Sequence, residues 1–118
     1  MQRILLIDDD DIVKSLVKQI LISEGYEVTA VGSGEEATTV LKKEDFFLAI
    51  LDVKLPGIDG FQVLQQIKQS FPKMKALMLT SHSSLHYGTT AKHLGADDFL
   101  SKPVKLDDLV KAVARLKD

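Results

Sequence analysis

The chain of 118 residues contains no cysteine, which excludes disulfides, thiolate zinc sites and thiol catalysis. Arginine is scarce, with Arg3 and Arg115 the two that occur, and the net charge of -2 provides no basic footprint for nucleic acid or an anionic membrane. Long apolar runs are missing too, since the first stops at Asp8, so we expect neither a signal peptide nor a membrane span. This composition predicts one globular domain over residues 1–118, cytoplasmic by default.

Short apolar stretches alternate with amphipathic stretches along the chain. Apolar runs this short are typical of strands buried on both faces of a parallel sheet. The predicted strands are Arg3–Ile7, Glu27–Val31, Leu48–Asp52, Lys75–Thr80 and Asp98–Ser101. Five βα units with right-handed crossovers favour a flavodoxin-like α/β fold, with a parallel sheet of order 2-1-3-4-5 and five helices on its two faces.

The helices are predicted from apolar residues at helical spacing. A stripe that begins at Ile12 marks the first helix, and Ser33 with Glu36 predicts a capping box at the start of the second. The fourth, about residues 84–94, is weak because a glycine lies inside it. The fifth follows Lys105, which is a poor N-cap residue.

Polar residues end or follow the strands that this order places side by side. The carboxyl ends of parallel strands meet at one edge of a sheet, where open α/β folds bind their ligands. The residues that should converge there are Asp8, Asp9, Asp52, Thr80 and Lys102. At about 5 Å and an effective dielectric near 20, each carboxylate pair repels by about 3 kcal/mol, and one lysine cannot neutralise three carboxylates. We therefore expect either a protonated carboxylate or a hard divalent cation, Mg²⁺ or another such as Mn²⁺.

The run of four aspartates also has a simpler interpretation as a cap on the first helix, whose N-terminus favours negative charge. We expect Asp10 or Asp11 to cap it, although four aspartates are more than a cap requires. Asp52, next to a hydroxyl and an ammonium, could attack phosphorus and form an aspartyl-phosphate. A metal ion, Lys102 and Thr80 could then each neutralise one phosphoryl oxygen, because phosphoryl transfer depends mostly on positioning and charge neutralisation.

Four motifs occur in an order and spacing that are specific when taken together: ILLIDDD, LDVKLPGIDG, MLTS and GADDFLSKP. Through them the chain resembles a response-regulator receiver domain of two-component signalling, from Arg3 to its end. The resemblance implies that Asp52 accepts a phosphoryl group from the phosphohistidine of a sensor histidine kinase or a phosphotransfer protein. It implies no enzyme activity beyond the domain's own phosphorylation and dephosphorylation.

The same resemblance implies the roles of the surrounding residues. Asp9 would bind Mg²⁺ directly and Asp8 mostly through water, with the Lys54 carbonyl as a further ligand. Thr80 and Lys102 would contact the phosphoryl group.

A conformational switch is also implied by the resemblance. Phe99 would turn inward once Thr80 is drawn toward the phosphate, and the surface of the fourth helix, fifth strand and fifth helix would change. That surface would bind an output domain or a downstream protein. The family also implies a cis Lys102–Pro103 bond, which X–Pro sequences tolerate.

Two side chains at the mouth of the predicted site are unusual for this family. Lys54 lies two residues after Asp52, and His82 lies two residues after Thr80. Such positions flank the path of the attacking water. Our hypothesis is that this pair alters the rate of dephosphorylation, while the alternative is two solvated side chains without a role.

Two other functions remain open at this point. A phosphatase of the haloacid dehalogenase type also uses a strand-end DxD, here Asp8 and Asp10, with Thr80 and Lys102. The chain is short for such an enzyme, and that function leaves Asp52 without a role. The second alternative is a receiver that works only as an unphosphorylated docking module, which the complete set of site residues disfavours.

Overall fold

The computed structural model describes residues 2–80 and 90–117. Its strands are β1 (Arg3–Ile7), β2 (Glu27–Val31), β3 (Leu48–Asp52), β4 (Lys75–Thr80) and β5 (Asp98–Ser101). The helices are α1 (Asp11–Ser23), α2 (Gly34–Leu41), α3 (Gly60–Ser70), a helical segment at residues 90–93 (α4), and α5 (Leu106–Leu116). All five strands have the predicted bounds. The first part of the predicted fourth helix, including residue 84, lies outside the described residues.

The strands form one parallel sheet in the order β2-β1-β3-β4-β5, as predicted. Residues of β1 and β3 alternate between its two faces, and both faces are buried. One face packs against α2 and α3, through a cluster that contains Leu5, Ile7 and Leu51. The other packs against α1 and α5, through a cluster that contains Ile4 and Ile50. Helices on both faces explain why these strands are uniformly apolar rather than alternating.

The helix starts correct one detail of the sequence analysis. Ser33 caps α2 by accepting from the Glu36 backbone N–H, but the Glu36 carboxylate accepts from Gly32, one residue before the cap. The predicted capping box is therefore wrong in its second half. A complete box occurs instead at α3, where Asp59 and Gln62 satisfy each other's backbone N–H groups. The D-x-x-Q spacing that signals it was missed.

Two other helix starts agree with expectation. Asp10 caps α1, and its side chain accepts from the backbone N–H groups of Ile12 and Val13. Lys105 precedes α5 and makes no side-chain cap hydrogen bond. In the described part of the chain, no helix has the length and apolar character needed to cross a membrane.

Candidate functional site

The site forms where four strands end at the carboxyl edge of the sheet. Asp52 and Thr80 are the last residues of β3 and β4, while Asp8 follows β1 and Lys102 follows β5. The register aligns these ends, because Ile7 pairs with Leu51 and Thr80 pairs with Ser101. Chain positions up to 94 residues apart thus meet at one place.

Lys102 joins the two buried carboxylates. Its ammonium donates to Asp8 Oδ2 and to Asp52 Oδ2, and both distances are 2.9 Å. Asp8 is completely buried, and Asp52 and Thr80 are only 6% and 2% exposed. The backbone N–H of Lys102 also donates to the Thr80 carbonyl oxygen, at 2.6 Å. Lys102 is therefore held against β4 by its backbone while its charge faces two other strands.

The environment of this contact shifts the pKa values of Asp8 and Lys102. Burial raises the pKa of the Asp8 carboxyl, and this outweighs the lowering by the Asp10 backbone N–H and by Lys102. Burial by itself lowers the pKa of Lys102, but the hydrogen bonds and charges of Asp52 and Asp8 outweigh it, so that pKa is raised. The lysine therefore stays charged at neutral pH, and ionising the Asp8 carboxyl carries a free-energy cost.

Three carboxylates at this edge have the chemistry of a metal site. Oxygen atoms of Asp8, Asp9 and Asp52 all lie within 4.8 Å of one another. Asp9 is exposed, whereas the other two are buried. Hard oxygen donors with one exposed side suit Mg²⁺, which keeps several of its waters. One ammonium leaves this trio with excess negative charge, so a divalent cation fits the residues present.

Lys54 lies at the exposed rim of the site. Its backbone N–H donates to Asp52 Oδ1 at 3.3 Å, which helps to orient that carboxylate, and its side chain is exposed. The role of its carbonyl as a metal ligand stays a prediction. The other residue predicted at the rim, His82, lies outside the described residues.

Gly60 is part of the site's support and was missed in the sequence analysis. Its backbone N–H donates to the Val53 carbonyl oxygen at 2.8 Å, so α3 begins directly against the end of β3. A Cβ atom built on Gly60 would lie 2.8 Å from the Val53 Cα and would overlap the Asp52 carbonyl oxygen. Only glycine permits this approach, yet a glycine at a helix start has no sequence signal that distinguishes it from an ordinary turn residue.

The β5 region contains the remaining predicted residues. The Lys102–Pro103 bond is cis, as predicted. Phe99 lies on β5 opposite Met78 of β4 and is partly buried at the margin of the core. The Lys92 ammonium lies 5.9 Å from the centroid of the Phe99 ring.

Comparison with known proteins assigns this architecture to a family. The family model of the response regulator receiver domain matches residues 4–114. The chain is a response regulator receiver domain. The resemblance inferred from the four motifs is thereby confirmed. As a receiver domain it belongs to two-component signalling, where such domains are paired with histidine kinases and output domains and are signalling modules rather than classical enzymes.

Individual relatives agree with this assignment. The receiver domain is 40% identical over 118 residues to the regulatory protein VanRc of Enterococcus gallinarum, with 98% of this chain and 48% of that protein covered. It is 33% identical over 110 residues to the DNA-binding transcriptional regulator NtrC of Klebsiella pneumoniae, with 93% and 24% covered. The CheY-like receiver domain protein of Methanospirillum hungatei has a similar crystal structure, with a TM-score of 0.92, 36% identity and coverage of 99% and 94%.

The receiver domain spans only part of those regulators. Its share of the length of the curated relatives it matches runs from 24% to 51%. Receiver domains generally bind Mg²⁺ at an acidic pocket, and the trio of Asp8, Asp9 and Asp52 provides such a pocket here.

Proposed function

We propose that this receiver domain is a phosphoacceptor switch, and that Asp52 accepts the phosphoryl group. The observation that best supports the proposal is the pair of 2.9 Å contacts from Lys102 to Asp52 and Asp8 at a buried strand edge. A partly buried ammonium there orients one oxygen of Asp52 and supplies positive charge where phosphoryl oxygens would lie. The phosphohistidine of a sensor histidine kinase or a phosphotransfer protein is the proposed donor.

In the transfer step, a carboxylate oxygen of Asp52 forms a bond to phosphorus as the bond from phosphorus to the histidine nitrogen breaks. The electron pair of that bond returns to the imidazole, and Asp52 becomes an aspartyl-phosphate. Lys102 moves its hydrogen bond from Asp52 to a phosphoryl oxygen, and the Thr80 hydroxyl donates to another. Asp8, Asp9, Asp52 and the Lys54 carbonyl would hold Mg²⁺, which would supply charge that offsets the carboxylates and the phosphoryl group.

The first turns of α1 offer a surface for the phosphodonor protein. Ile12 is 73% exposed and Leu16 is 50% exposed, although both lie on the apolar stripe predicted for this helix. Ser15 and Gln19, exposed beside them, carry no charge, whereas the exposed Asp11 and Lys18 place charges at the margin of this surface. Since α1 begins three residues after Asp8, a protein docked on this surface would reach the acidic edge. An exposed apolar patch bordered by polar and charged residues is suited to a partner helix.

Phosphorylation would be read at the surface of α4, β5 and α5. We propose that Thr80 is drawn toward the phosphoryl group and that Phe99 follows it inward, which changes this surface for an output domain or a downstream protein. Lys54 and His82 would set the lifetime of the phosphoryl group at the rim. The proposed setting is the cytoplasm, with no direct contact between this domain and nucleic acid or a membrane.

The phosphatase alternative finds less support in the geometry. It requires Asp10 beside Asp8 as a second site carboxylate, but Asp10 is exposed and caps α1 through its side chain. It also leaves the buried contact between Lys102 and Asp52 without a function.

Intact-mass spectrometry after incubation with acetyl phosphate and Mg²⁺ tests the proposal, with Asp52→Asn as the matched control. We expect one phosphoryl adduct that requires Mg²⁺ and is lost in the control. If no adduct is seen, phosphate release decides whether rapid hydrolysis removed it. Release that continues in Asp52→Asn would indicate the phosphatase, and no adduct with no release would indicate an unphosphorylated docking module.

A further inference from the structure

Lys92 lies over the ring of Phe99. The Nζ atom is 5.9 Å from the ring centroid, a distance at which an ammonium is attracted to an aromatic face. Lys92 is exposed and Phe99 is partly buried, so the contact forms at the surface of the domain. We propose that Lys92 is a positioning residue, which holds Phe99 in its partly exposed orientation and thereby opposes the phosphorylated form of the surface.

The acidic residues next to Phe99 form ion pairs with cations other than Lys92. Asp97, two residues before Phe99, pairs with Lys68 at 2.9 Å. Asp98, the adjacent residue, pairs with Arg115 at 2.8 Å. Within the described residues, Lys92 forms no ion pair of its own. Asp97 and Asp98 are therefore each paired with another cation, and among residues 2–80 and 90–117 the Phe99 ring is the attractive partner recorded for the Lys92 ammonium.

Phenylalanine needs such a contact more than a tyrosine would. Its ring has no hydroxyl, so it gains no hydrogen bond when it is exposed, and exposed apolar surface is unfavourable. An ammonium over the ring face offsets part of that cost. Turning the ring inward would remove it from Lys92, so the contact stabilises one orientation and not the other.

The position of Phe99 connects this contact to the phosphorylation site. Phe99 is two residues before Ser101, which pairs with Thr80 at the end of β4. A bias on the ring orientation is therefore also a bias on the affinity of the site for a phosphoryl group, because coupling between two sites is reciprocal. The inference rests on the proposed switch role of Phe99. An exposed contact of this kind should shift the balance between orientations by about two- to five-fold.

The test compares Lys92→Met, which keeps an apolar stem without the charge, with Lys92→Arg, which keeps a cation able to stack on the ring. Aromatic NMR spectra of protein labelled with ring-¹³C phenylalanine report the orientation of Phe99, whose signal is assigned by its loss in Phe99→Leu. Titration with beryllofluoride and Mg²⁺, which together mimic the phosphoryl group, reports the coupling.

We expect the Phe99 signal of Lys92→Met to move toward its beryllofluoride-bound position before any is added. The beryllofluoride midpoint should fall about two- to five-fold, while Lys92→Arg stays close to wild type. An unchanged midpoint in Lys92→Met, or equal effects of Met and Arg, would overturn the inference. So would an effect of Lys92→Met that persists in the Phe99→Leu background, since Lys92 would then act through another residue.

Formation of the Asp52 adduct separates this inference from the proposed function. An adduct in wild type, together with no effect of Lys92→Met, refutes the role of Lys92 and leaves the phosphoacceptor function intact. The absence of both adduct and phosphate release refutes the function and the inference together.

Discussion

Replacing Gly60 by alanine tests whether direct contact with α3 positions the phosphoacceptor. The new Cβ would lie 2.8 Å from the Val53 Cα and overlap the Asp52 carbonyl oxygen, and both neighbours are backbone atoms that cannot rotate away. We expect α3 to be displaced outward by about 0.5–1 Å, which forfeits a quarter to a half of each affected packing contact. The three largest α3 side chains in the core, Val63, Leu64 and Ile67, are at most 1% exposed. With about 1.5–3 kcal/mol for each buried side chain, the loss is about 1–4 kcal/mol.

Urea unfolding of wild type and variant measures this loss, and acetyl phosphate labelling measures the effect on Asp52. Gly32→Ala is the matched control, because its Cβ would come no closer than 3.4 Å to any neighbour. Gly32 also lies at the carboxyl edge of the sheet, in the connection between β2 and α2. We expect the control to unfold and label almost as wild type does. Equal free energies of unfolding for Gly60→Ala and Gly32→Ala would show that the start of α3 is not packed directly against the end of β3.

Three further predictions concern charge. In metal-free protein at pH 7, Asp8→Asn should raise the melting temperature. Because the pKa of Asp8 is raised in the folded state, its protonated form contributes stability below about pH 4, and this stability is lost as pH rises through the folded-state pKa. The higher melting temperature of the variant should therefore disappear in acid, which calorimetry from pH 7 to below pH 4 would show. Lys102→Met should destabilise the fold by about 3 kcal/mol at neutral pH because it leaves two buried carboxylates uncompensated. Because the pKa of Lys102 is raised in the folded state, the wild-type contribution is complete below about pH 10.5, the ordinary lysine value, and is lost as pH rises from there through the higher folded-state pKa. Urea unfolding at pH 7 with no measurable loss of stability in Lys102→Met would contradict this. Asp97→Ala should cost about 1–3 kcal/mol in the same assay, since the Ala76 backbone N–H loses its 2.8 Å acceptor, whereas Asp97→Asn, which keeps a side-chain oxygen, should cost less.

The strands and their order were predictable because the signal is local. A run such as residues 48–51 ends abruptly at Asp52, and a fully apolar run of this length has few alternatives to a strand buried on both faces. The parallel order then determines which strand ends are neighbours, so the convergence of Asp8, Asp52 and Lys102 could be inferred before any distance was known.

Exposure and capping were less predictable, because they depend on what covers a helix. The apolar stripe of α1 includes Ile12, yet that residue is 73% exposed, whereas its neighbour Val13 packs against the core. Periodicity identifies a helical face but does not show whether a neighbour is present. In the same way, the Glu36 carboxylate accepts hydrogen bonds from the Gly32 backbone N–H and the Ser33 hydroxyl, a choice of partners that residue spacing alone does not specify.

The sequence by itself determined the strands, their order, the acidic edge and the family, since each depends on residue type and spacing along the chain. Only the tertiary structure decided that one ammonium holds both Asp8 and Asp52 at 2.9 Å, that Gly60 must lack a side chain, and that Lys92 covers Phe99. The physical reason is that these contacts join atoms on different elements at distances of a few ångströms. Their energies change steeply with separation, and spacing along the chain does not specify separation to that accuracy.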